Sequence, residues 1–146
     1  MTGIVDMAKY LENLLKDADN MANLGLKKVY YGDRQKIPFS PIACIETGEK
    51  DRELNGHPRR TLVTIRNYVI IYHGNVRSAS DNLQESDERA ENVEILIHTD
   101  AQMGGLVIDS LVTNVESGYQ LRDNTLFRAS RLTVEARVQE QLPSSV

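Results

Sequence analysis

At 146 residues with a formal net charge of −4, the chain is long enough for one ordinary domain with its own core, since domains most often run to roughly 100–150 residues. Hydrophobic residues at 40% and charged residues at 26% are close to globular averages, which excludes wholesale disorder. The acidic balance, with a pI of about 5.4, lacks the footprint of a protein that grips nucleic acid through its phosphates. It suits plain solubility, or a surface that DNA passes without sticking.

From the N-terminus, Ile4, Met7, Ala8, Leu11, Leu14, Leu15, Ala18, Met21 and Ala22 recur at three and four residues, predicting an amphipathic helix over Ile4–Leu24 with Thr2 at its start and Gly25 at its end. Its polar face is acidic rather than basic, which argues against a membrane-surface helix. The β-favouring run Lys27–Tyr31 reads as a short strand, and a second follows at Ile42–Thr47 after Pro38 and Pro41. The densely charged Gly48–Arg60, with turn residues at both ends, reads as a long exposed hairpin loop.

Thr61–His73 carries the strongest strand pattern. Val63, Ile65, Val69 and Ile71 share one face, and the other is also largely apolar or aromatic, as for a central strand covered on both sides. A second helix spans Ser80–His98, with Leu83, Ala90, Val93 and Ile97 as its buried stripe and carboxylates over much of the rest. Asp100 or Thr99 caps a short turn that Gly104-Gly105 ends, and strand Leu106–Val115 follows. The last strand, Thr125–Gln139, places Leu126, Leu132, Val134, Ala136 and Val138 on one face, broken by Arg128 and Ser130. The expectation is a single α+β domain over residues 1–141: a mixed, mainly antiparallel sheet with both helices on one face, in the order helix, three strands, helix, two strands. Residues 142–146 read as a frayed tail.

Chemistry-bearing residues are sparse. His57, His73 and His98 have no ligand spacing between them, so no metal is expected, and His98 reads as a positive complement to a helix C-terminus. Glu46 with Glu49 and Glu85 with Glu88 fall on solvated stretches rather than in a desolvated pocket. No phosphate-binding glycine motif or nucleophile elbow occurs, and Cys44, the only cysteine, reads as a packed thiol in a reducing compartment. Lys27, Lys28, Arg34 and Lys36 near Tyr30 and Tyr31 form the one basic-aromatic cluster, more in keeping with core or interface material than with base stacking. The N-terminus lacks a signal-peptide pattern, and no apolar run reaches the roughly 18 residues that span a bilayer. No enzyme activity and no cofactor are expected.

The run Ala90–Glu116, with its acidic helix, Asp100, Gly104-Gly105 and following strand, together with Ser130-Arg-Leu-Thr-Val-Glu-Ala-Arg-Val138, resembles the tail terminator or tail completion proteins of long-tailed bacteriophages. The order of elements extends the resemblance over nearly the whole chain. It implies a virion structural protein of the head–tail joining region, assembled in the host cytoplasm. Such a protein forms a homo-oligomeric ring, usually of six subunits, that caps the tail tube protein, ends its polymerisation and docks the head connector or head-closure protein. DNA passes through the lumen without specific binding, and no membrane is involved. The expected contact residues are Glu49, Lys50, Asp51, Arg52, Glu53 and Arg59 in the charged segment, and Arg131, Glu135 and Arg137 on the final ribbon near Leu121–Gln139. The alternatives are a generic α+β oligomeric adaptor, another phage neck or head-closure protein, a small hydrolase, and a nucleic-acid binder.

Overall fold

A computed structural model describes residues 3–54, 60–76 and 83–141. The elements are α1 (Ile4–Lys16), α2 (Ala18–Leu24), β1 (Lys28–Tyr31), β2 (Ile42–Leu54), β3 (Arg60–Asn75), α3 (Leu83–His98), a 3₁₀ turn at Met103–Gly105, β4 (Asp109–Arg122) and β5 (Thr125–Gln141). The strands form one sheet in the order β1-β2-β3-β5-β4. β1 runs parallel to β2 and every other pair is antiparallel. The expected α+β order of helix, three strands, helix and two strands is therefore present, with the first helix in two pieces.

That division has a local cause. Asp17 is extended (φ −52, ψ 131), and its carboxylate accepts the N–H groups of Asp19 and Asn20 at 3.1 and 3.2 Å. An Asp side chain competes with the helix for backbone donors in this way, and here it closes α1 and caps α2. Consequently Ala18 and Ala22, expected on a continuous buried stripe, are exposed, whereas Met7, Ala8, Leu11 and Leu15 are fully buried. Gly25 ends α2 in the left-handed region (φ 72), as expected of a C-terminal glycine. Gly3 precedes α1 and donates its N–H to Asp6 at 2.9 Å; Thr2 lies outside the described residues.

One face of the sheet packs on all the helices. Val63, Ile65, Val69, Leu132 and Val134 are buried there with Leu11, Leu15, Val93 and Ile97, which confirms the registers expected for β3 and β5. Leu83 and Leu126 do not join them: both are exposed, at the first residue of α3 and near the tip of the β4–β5 hairpin. The opposite face of β3 is covered as well, by residues 32–41, which connect β1 to β2. Ile37 and Tyr30 close a second core of Ile42, Cys44, Ile70, Tyr72, Phe127 and Ala129. The aromatic face of β3 thus finds its cover within the chain.

The segment Gly48–Arg60 is not a long loop. Residues Lys50–Leu54 pair with Thr61–Ile65, so β2 and β3 continue as a two-stranded extension, leaving only residues 55–59, outside the described set, to connect them. A register shift between Thr47 and Lys50 sets Gly48 and Glu49 against Arg66, the two-against-one geometry of a β-bulge. Gly48 suits this place because a Cβ there would meet the Arg66 carbonyl oxygen at 2.7 Å and the Tyr68 ring at 2.6 Å. Strand β4 starts at Asp109, later than expected, because Gly104 and Gly105 (φ 68 and 91) carry the chain through a turn first. Asp100 organises that turn by accepting the N–H groups of Gln102 and Gly104 at 3.2 and 2.7 Å. β4 also runs on to Arg122 and turns through Asp123-Asn124, both at positive φ, the signature of a tight hairpin turn.

Candidate functional site

The two ends of the sheet are unlike. β4 is an edge strand of 14 residues, and its hairpin with β5 exposes Leu111, Val115, Tyr119, Leu121 and Leu126. An open edge of that length with apolar side chains is a template for pairing with another chain unless something covers it. Its first part is covered. The Val112 N–H points away from β5 and is accepted by Nε2 of His98 at 3.0 Å, and the Ser110 hydroxyl donates to the Ala101 carbonyl at 2.8 Å. His98 therefore plugs the edge by accepting this N–H, a role its place at the helix end did not suggest. From Asn114 to Arg122 no described strand pairs with the outer side of β4.

Beside this open stretch lies a groove of about 370 Å³ between α3 and β4, lined by Asp87, Glu91 and Glu94 with Ala90, Val115, Ser117 and one cation, Arg128. The three carboxylates occupy successive turns on the flank of α3 that faces the ribbon. Arg128 reaches Asp87 at 3.4 Å. At the other end of the sheet β1 is short, and its surroundings are cationic. Lys28 and Arg34 both stand over the Tyr30 ring, at 5.3 and 4.5 Å from its centroid, while Lys27 and Tyr31 are exposed.

The charged residues expected at an interface are partly gathered. Glu49 and Asp51 project from β2 and Glu135 from β5, and all three bind the Arg66 guanidinium, whose Nη1 lies 3.1 Å from Glu49 and 2.8 Å from Asp51. Arg66 was not among the expected residues, although a lone arginine in an apolar strand calls for acidic neighbours. Hydrogen bonds to Asp51 and Glu135 raise its pKa above the ordinary value. Arg52 points elsewhere and binds Glu140 at 2.9 Å, and Arg137 pairs with Asp109. Their arginine hydrogen bonds hold the Glu140 and Asp109 carboxyls below the usual carboxylate range. Arg131 lies over the Tyr68 ring at 3.9 Å. Lys50 and Glu53 sit in the β2 extension opposite Ile65 and Leu62, and Arg59 lies outside the described residues. Five of the expected residues, Glu49, Asp51, Arg52, Glu135 and Arg137, are therefore held in ion pairs on strands rather than on a reaching loop.

Two further polar arrangements stand inside the fold. Asp33 accepts the Tyr72 hydroxyl at 2.6 Å and pairs with Arg122 at 2.7 Å, so that residues 32–41 are tied across the sheet to the far hairpin. An open cleft of about 460 Å³ lies alongside, lined by Asp33, Glu46, Glu116 and Arg131 among others. Within the helix-side core, Arg89 donates to the Leu24 carbonyl at 2.9 Å and approaches His73 and Glu85, and His73 in turn meets Ser130 at 2.8 Å. Burial first, and then the neighbouring Arg89 and Arg128, lower the His73 pKa to about 3. Both ring nitrogens are committed, and Cys44, fully buried, has its thiol pushed up to about 12 chiefly by burial. Among the described residues no three His, Cys, Asp or Glu side chains converge as a metal site, and no helix is long and apolar enough to cross a membrane. The chain matches no protein-family model and no curated protein.

Proposed function

We propose that the chain is a structural subunit of a phage tail, one that joins a homo-oligomeric ring, caps the tail tube and presents a surface to the head connector. The observation that carries this reading is the open edge of β4 from Asn114 to Arg122, flanked by exposed Val115, Tyr119 and Leu121. Such an edge, with apolar side chains beside it, is a template for pairing with another chain. The unlike ends of the sheet support the same reading, because contacts between two different patches of identical subunits are heterologous and close into rings when the rotation permits. The resemblance of Ala90–Glu116 and of the final strand to tail terminator proteins supplies the biological setting.

The test is to supply the purified chain to tail tubes assembling from tube protein and to measure tube lengths by electron microscopy. The expected outcome is termination at defined length with a ring of density on one end. Tubes that lengthen without limit in its presence overturn the reading. A closed dimer by sedimentation, indifferent to tubes, would mark the chain as an adaptor instead.

A further inference from the structure

We infer that the cationic β1 edge of one copy seats on the open β4 edge of the next, with the α3 carboxylates receiving its lysines. This names the subunit contact within the ring reading and rests on that reading only for closure. The stretch from Lys27 to Pro41 carries Lys27, Lys28, Arg34 and Lys36 against a single carboxylate, Asp33, which is already held by Arg122. At the other end of the sheet, Glu91, Glu94 and Glu116 lie beside β4. The cationic and acidic patches belong to opposite edges of one five-stranded sheet. Lys27 and Lys28 stand at the β1 edge and Glu91 and Glu94 beside the β4 edge, so their complementarity is available between copies, head to tail.

The match holds on both faces. Val29 is buried on the helix side of the sheet, and side chains alternate along a strand. Lys27 and Tyr31 therefore share the helix side, whereas Lys28 and Tyr30 share the other. A β1 edge laid against β4 brings Lys27 and exposed Tyr31 to the groove of Glu91, Glu94 and Val115, and brings Lys28 toward Glu116. Main-chain pairing supplies adhesion along such an edge, and the alternating side chains supply selectivity. The His98 plug at Val112 sets where the pairing starts, since the edge is unblocked only beyond it.

A carbodiimide tests this, because it joins a carboxylate to an amine as an amide only when the two are in contact, taking up the water released. The full chain is treated at high protein concentration as a mixture of ordinary and isotope-labelled protein, and the linked peptides are read by mass spectrometry. The expected links join Lys27 or Lys28 of one copy to Glu91 or Glu94 of another. They are lost in Lys27→Glu/Lys28→Glu alone and in Glu91→Lys/Glu94→Lys alone, and they return, with the groups exchanged, when the two variants are mixed. These four positions are exposed or half-buried surface sites, so both variants fold. Absence of such links in the unaltered chain, or failure of the mixture to restore them, overturns the inference. A chain that caps tubes without these links keeps the tail reading and loses this contact, and one that links but leaves tubes uncapped does the reverse.

Discussion

Nη1 of Arg89 lies 3.0 Å from Nδ1 of His73 inside the protein. A guanidinium has no acceptor, so Nδ1 must be the bare nitrogen and the proton sits on Nε2, where it is donated to the Ser130 hydroxyl. The imidazole is thereby held neutral between a permanent cation and a serine, and this one contact ties α2, α3, β3 and β5 together through Arg89 and its bond to Leu24.

His73 should make the protein acid-sensitive. Folded, the ring stays neutral down to about pH 3, and in the unfolded chain it takes a proton near the ordinary value of 6.5. The unfolded state binds the extra proton between those values, so this contribution to stability is intact above pH 6.5 and is lost as pH falls toward 3. The slope approaches about 1.4 kcal/mol per pH unit. His73→Gln keeps an acceptor for Arg89 and a donor for Ser130 but does not titrate. Urea melts from pH 7.5 to 4.5 should show a shallower decline for the variant, and parallel curves would count against the neutral-ring assignment.

Replacing Arg66 removes the cation that Glu49, Asp51 and Glu135 share. In Arg66→Gln those carboxylates face one another without compensation. The melting temperature should drop at low ionic strength and recover substantially in high salt, because exposed charges are screened over about 10 Å at 0.1 M. A loss that salt leaves unchanged would assign Arg66 a packing role instead.

Gly48→Ala places a methyl group against the Arg66 carbonyl and the Tyr68 ring. The backbone oxygen cannot swing aside as a side chain would, so the bulge must open. We expect a cost of about 1–3 kcal/mol, in the range of overpacked sites, measured by chemical denaturation. Amide exchange should quicken at Lys50 and Asp51 before it does in the sheet centre. A neutral substitution would show that this bulge is adaptable.

Leu132→Ala, at a fully buried position between the helices and the sheet, should cost about 2–5 kcal/mol by leaving a cavity. Leu126→Ala, on the same strand but 44% exposed, should be close to neutral in the isolated chain. Equal costs at the two sites would contradict the burial assigned along β5.

The central strands were readable because each presents an unbroken two-residue period to a core, as Val63, Ile65, Val69, Leu132 and Val134 do. The extension of β2 was not. Glu49, Lys50, Asp51, Arg52 and Glu53 alternate charge rather than hydropathy, and they become strand because partners across the sheet satisfy them, notably Arg66 and Glu140. Leu126 fitted the stripe of β5 yet lies near the tip of the hairpin, where it stays 44% exposed instead of joining the core of described residues. Phe127 and Ala129 were missed since their cover, residues 32–41, comes from a segment with no periodic signal. The acidic flank of α3 was visible as charge. That it faces the apolar side of an open strand edge depends on a topology in which β5 inserts between β3 and β4.

Cys44, buried in the second core beneath Ile37 and Tyr30, gives the chain an internal clock. Its sulfur is shielded from solvent, and burial foremost keeps it a thiol rather than the reactive thiolate at ordinary pH. A thiol reagent can therefore modify it only when residues 32–41 lift away or the whole sheet opens. As the only cysteine in the sequence, it yields one kinetic phase with no competing signal. The rate of labelling, followed with and without a neighbouring copy docked, reads how firmly assembly holds that cover shut.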